Sequence, residues 1–183
     1  MSDELPTTPP RENIILIGFM GSGKSTVGRM LAKRLRFHFL DTDRLLEERS
    51  RMAIKVMFAR YGEPYFRERE TATLESLSGL RRHVLATGGG IVTQPCNVPL
   101  LRGLGWVVQL TADPSELYAR VAKSTSRPLL QTENPKERIE AMVEERRPMY
   151  AAAAQFTVNS TGLAREQVVE MILEEARSVF RWE

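Results

Sequence analysis

The 183-residue chain is 42% hydrophobic, enough for one compact domain with a sizeable core and too little for two. Its 26 basic and 23 acidic side chains leave a net charge of +3 with no block of one sign, and aromatics are a scattered 7%. No basic, aromatic-bearing face for nucleic acid is therefore expected. Apolar runs stay well below the ~18 residues that a membrane-spanning helix needs. The single cysteine, Cys96, rules out an intramolecular disulfide and fits a cytoplasmic protein.

The first dozen residues, opening "MSDELPTTPP", are polar and proline-punctuated and lack the pattern of a secretory signal, so residues 1–12 read as a disordered extension. Residues 13–183 read as one domain. Five segments look like buried parallel strands: "NIILIG" from Asn13, "FHFLD" from Phe37, "HVLAT" from His83, "WVVQL" from Trp106 and "FTV" from Phe156. Helical patterns lie between them. "KSTVGRMLAKRL" puts Val27, Met30, Leu31 and Leu35 near one face, residues 43–80 are helical with a break near "RYGEP", and "ADPSE" opens a helix over 113–122 with Asp113 and Pro114 at its start. Residues 135–150 and 164–180 supply two more, while "KSTSRPLLQTENP", residues 123–135, reads as a mobile polar loop. This alternation predicts an α/β fold, a parallel sheet with helices on both faces and ligands outside the carboxyl ends of its strands.

"GFMGSGKST", from Gly18 to Thr26, satisfies the pattern G-x-x-x-x-G-K-[ST] between a strand and a helix. Glycines let the backbone wrap phosphate oxygens, and the helix amino terminus adds positive potential. Lys24 is placed to reach the β- and γ-phosphates and Ser25 to ligate Mg²⁺. No N-K-x-D element follows, so the nucleotide expected is ATP and not GTP.

"LDTD" ends the second strand with Asp41 and Asp43 two apart, on one side of an extended segment. They can serve a metal-bound water and an acceptor hydroxyl, or Asp43 can simply cap the following helix. Arg67 in "GEPYFRERE" is by residue type most often a solvated cation. Gly88, Gly89 and Gly90 in "ATGGG" either expose amides to a ligand or form a plain turn. Arg127 in "SRPLL" fits a cation closing over the γ-phosphate, and Arg146 in "ERRPMY" fits a planar pair with a carboxylate, with Arg147 adjacent.

In this order, "GFMGSGKST", "FLDTD", "GEPYFRERE", "ATGGG", "RPLL" and "ERRPMY" resemble the shikimate kinase family from about Asn13 to the last helix. The resemblance implies a nucleoside-monophosphate-kinase-like P-loop fold, a three-layer sandwich with a five-stranded parallel sheet in the order 2-3-1-4-5. It implies a substrate-binding helical region at about 43–80 and a lid at about 123–135. The implied activity is ATP-dependent phosphorylation of the 3-hydroxyl of shikimate by a monomer that uses one Mg²⁺.

Carried over residue by residue, the resemblance gives Gly21, Ser22, Gly23, Lys24, Ser25 and Thr26 to the ATP phosphates, and Ser25 and, through water, Asp41 to the metal. Asp43 becomes the contact to the shikimate hydroxyls and the candidate base. Arg67 and Arg146 become the carboxylate clamp, with Gly88, Gly89 and Gly90 beside them. Arg127 becomes the lid arginine and Arg120 the one lying against adenine. "NST" from Asn159 departs from an acidic residue common in relatives, and Arg146 is chosen over Arg147 because the family arginine sits two before the proline. A gluconate or nucleotide kinase of the same fold is the nearest rival. A non-catalytic nucleotide binder is the rival from another class, yet Lys24, both aspartates and Arg127 are all retained.

Overall fold

The computed structural model describes residues 12–121 and 134–182. Five parallel strands, β1 (Ile14–Ile17), β2 (His38–Asp41), β3 (His83–Ala86), β4 (Trp106–Thr111) and β5 (Phe156–Asn159), pair in the order β2-β3-β1-β4-β5. That is the expected order. Strand β1 sits at the centre with all four residues fully buried, which is why it reads as a continuous apolar run and not as an alternation. Its side chains still alternate: Ile14 and Leu16 join one core cluster, Ile15 and Ile17 another on the opposite face.

The first cluster is closed by α1 (Lys24–Leu35) and α7 (Arg165–Phe180), the second by α3 (Ile54–Glu75), α4 (Asn97–Leu104) and α6 (Pro135–Ala153). Helix α2 (Thr42–Ser50) packs on α3 through Leu46, Met57 and Phe66, and α5 (Pro114–Val121) packs on α6 beneath Phe19 and Met20. The break expected near "RYGEP" is a kink within α3 at Gly62, whose φ of 78° and ψ of 177° are non-helical and suit only a residue without Cβ.

Helix α4 was not anticipated from the sequence. Pro99 and Gly103 depress helix propensity within its eight residues. Tertiary contacts hold it instead: Asn97 is fully buried, donates through Nδ2 to the Ile91 carbonyl at 2.9 Å and accepts from Thr71 Oγ1 at 2.8 Å. At the amino end of the sheet, buried Asn13 donates to the carbonyls of Leu80 and Leu104, each at 2.8 Å, and accepts from His83 N at 3.0 Å.

Candidate active site

The loop between β1 and α1 closes around its own backbone. Gly21 (φ 82°) and Gly23 (φ 96°) hold left-handed conformations, and the Gly23 carbonyl accepts from Thr26 N at 3.1 Å and Val27 N at 2.9 Å to start α1. Buried Lys24 folds back over the loop and donates to the carbonyls of Gly18 at 2.7 Å and Phe19 at 3.0 Å. Ser25 Oγ donates to Asp41 Oδ2 at 2.8 Å. This pair presents only hard oxygen donors beside a phosphate cradle, which fits a magnesium ion completed by phosphates and water. Among the described residues no group of three His, Cys, Asp or Glu side chains could hold a metal by itself.

Asp41 also corrects one expectation. It is Asp41, not Asp43, that caps α2, accepting through Oδ1 from Asp43 N at 3.2 Å and Arg44 N at 3.4 Å. Asp43 therefore lies in the first helical turn, and strand alternation does not explain where it points. The two aspartates are nevertheless brought to one place, since both line a cavity of about 840 Å³ with the loop from Gly21 to Thr26. The far wall of that cavity includes Arg120 and Ser160. Arg120 pairs with Glu116 one turn back and donates to the Gly21 carbonyl at 3.3 Å and Ser160 Oγ at 3.4 Å.

A second cavity of about 440 Å³ opens between α2, α3 and the glycine triplet. Arg67, Glu70 and Arg146 line it, and Asp43, Met20 and Gly89 line both cavities. Arg67 departs from the usual exposure of arginine: it is 6% exposed, donating through Nε and Nη2 to Glu63 Oε1 at 3.1 and 2.8 Å and through Nη1 to Glu70 Oε2 at 2.7 Å. Burial pulls the guanidinium pKa down, but Glu70 and Glu63 together outweigh it and leave it raised.

Burial also pushes the Glu70 carboxyl up to about 7, with Asp43 adding to the rise and Arg67 and Arg146 opposing it. Arg146 is buried on α6, donates to the Gly89 carbonyl at 3.3 Å and packs over the Phe19 ring. One turn on, Tyr150 also donates to that carbonyl, and burial raises its phenol to about 12. Arg147 is exposed and pairs with Glu144, so of the two neighbours only Arg146 faces the cavity.

The glycine triplet does form a turn, with Ile91 N donating to the Gly88 carbonyl at 3.2 Å, yet none of its members has positive φ. Its purpose is close approach. A Cβ on Gly88 would lie 2.5 Å from Glu70 Oε1 and 2.6 Å from Asp43 Oδ1, and one on Gly90 would collide with the Arg67 guanidinium. Glu63, Glu70 and Tyr150 were missed by sequence reasoning. Helical spacing carries the signal, because Glu63 and Glu70 stand four before and three after Arg67, and Tyr150 four after Arg146. Arg127 and most of the expected lid lie outside the described residues.

A model of the shikimate kinase family matches residues 20–177. A shikimate kinase of Caldanaerobacter subterraneus is 41% identical over 88% of this chain and 94% of its own length, and one of Geobacter metallireducens is 48% identical over 87% and 89%. Among solved structures, shikimate kinase from Acinetobacter baumannii in complex with shikimate matches with a TM-score of 0.87 at 38% identity, over 93% of this chain and 94% of that one. A gluconokinase from Sinorhizobium meliloti, at 18% identity and a TM-score of 0.59 over 94% of each chain, shares the fold alone. With its phosphate loop, its paired cavities and this degree of identity over nearly all its length, the chain belongs to the shikimate kinase family.

Proposed function

We propose that the chain is an ATP-dependent kinase that phosphorylates shikimate at its 3-hydroxyl, giving shikimate 3-phosphate and ADP on the route to chorismate and the aromatic amino acids. The observation that carries this is the position of Asp43 on the wall shared by two cavities. One is walled by the phosphate loop and the other by two buried arginines. A phosphoryl donor and an acid bearing hydroxyls fit these compartments in that order.

Phosphoryl transfer depends on alignment and charge compensation more than on covalent participation by the protein. Lys24 exchanges its loop carbonyls for the β- and γ-phosphates, and the amides from Gly21 to Thr26 hold them. Ser25 and, through water, Asp41 would hold one Mg²⁺, which when bound neutralises phosphate charge. Arg67 and Arg146 fix the acceptor's carboxylate with the backbone of the glycine triplet. Asp43 receives the acceptor hydroxyl and takes its proton. Arg120 and Ser160 border the adenine end. Among the described residues no helix is long and apolar enough to cross a membrane, in keeping with a protein that works in the cytoplasm.

The test is ATP consumption by purified protein with Mg²⁺, with and without shikimate, and with gluconate and nucleoside monophosphates as alternative acceptors. ADP release that depends on shikimate is expected. Release driven only by another acceptor would keep the fold and overturn the roles of Arg67, Gly89 and Arg146.

A further inference from the structure

The guanidinium of Arg67 is held on several sides. Glu63 takes the Nε and Nη2 edge with one oxygen, Glu70 takes Nη1, and the Nη1 and Nη2 end abuts Gly90. Of its five N–H groups, three are engaged by the two glutamates and two have no hydrogen-bond partner among the described residues. Glu70 is fully enclosed, whereas the Glu63 side chain is 51% exposed. A half-exposed carboxylate bonded to a buried arginine is unusual for a surface ion pair, because only one partner is left in water.

The backbone explains how Glu63 gets there. It is the first residue after the Gly62 kink and is followed by Pro64, whose ring presets helical φ. Glu63 thus opens the second half of α3 and reaches one turn forward to Arg67, the favourable order for an acid and a base four apart. Without it, among the described residues the Arg67 guanidinium would keep only its Nη1 hydrogen bond to Glu70.

We infer that Glu63 is a positioning residue for acceptor binding: it fixes the orientation in which the Arg67 guanidinium is presented to the substrate's carboxylate. The inference rests on the reading of Arg67 as a carboxylate clamp. Glu63 does not line the second cavity, and its own negative charge opposes an incoming anion. The sign of its effect therefore distinguishes orientation from competition.

The experiment compares wild type, Glu63→Ala and Glu63→Gln, with circular dichroism melts confirming folding. Each is assayed with shikimate and with its carboxamide analogue, which lacks the negative charge. In Glu63→Ala the KM for shikimate should rise roughly tenfold, the loss expected when one charge-assisted contact no longer orients the fork. The KM for ATP and kcat should stay within about twofold, and Glu63→Gln, which keeps an acceptor oxygen but no charge, should fall between. The carboxamide should be bound alike by all three, so that the preference for shikimate narrows in the variants. A preserved preference, or a KM for shikimate that falls, overturns the positioning role and leaves the clamp standing. If wild type does not prefer shikimate to the carboxamide, the clamp fails and the role of Glu63 with it.

Discussion

Glu70 offers a prediction whose size follows from its surroundings. It is 2% exposed, and burial, with Asp43 nearby, raises its carboxyl from 4.5 to about 7 despite Arg67. Between those values the folded protein keeps a proton that the unfolded chain has released. Stability should therefore fall as pH rises from about 4.5 to about 7 and stay at the lower level above that. At about 1.4 kcal/mol per pH unit, the full effect is about 3 kcal/mol, of which about 2–3 kcal/mol falls between pH 5 and pH 8. Glu70→Gln keeps an acceptor for Arg67 Nη1 but cannot ionise, so it should lack this component. Urea unfolding of both proteins at pH 5 and pH 8 reads it directly, and comparison with the variant cancels the titrating groups that do not interact with Glu70. Relative to wild type, the variant should gain about 2–3 kcal/mol on going from pH 5 to pH 8. Two proteins whose stabilities change in parallel would show that Glu70 is already ionised at pH 5 and that burial does not dominate its titration.

Two further outcomes concern the chemistry. Asp43→Asn should lower kcat by more than about a hundredfold, the scale of general-base participation, while ATP affinity measured by calorimetry stays within about threefold; near-normal turnover would rule out an essential carboxylate. Arg146→Ala should raise the KM for shikimate at least about tenfold with little change for ATP, while exposed Arg147→Ala should change neither by more than about twofold. Equal effects of the two substitutions in steady-state kinetics would argue against a clamp at Arg146.

What was legible in the sequence and what was not follows from how local each feature is. The phosphate loop was readable because its conformation is set by its own glycines and by the strand and helix at its ends. The inner strands were readable because burial on both faces writes a continuous apolar run, as in β1. Helix α4 was not, since Asn97, Leu101 and Leu104 are held by partners far away in the chain and local propensity points the other way. Arg67 looked like a surface cation because residue type alone carries no information about the two glutamates and the glycine that receive it. Asp43 was placed beside Asp41 for the wrong geometric reason. Periodicity describes a strand or a helix well, but Asp41 stands at the junction, and there the backbone changes from one rule to the other.

The buried amide of Asn13 works as a registration mark. It ties the entrance of β1 to the residues that lead into β3 and β4, at the end of the sheet opposite both cavities. Strands rise ~3.3 Å per residue, so a slip of one position between β1 and β3 would move the glycine triplet by that distance against the phosphate loop. No hydrogen bond survives an error of that size, and every side chain of the slipped strand would also turn to the wrong face. The spacing between the two cavities is thus calibrated at the far end of the molecule, by a residue that lines neither.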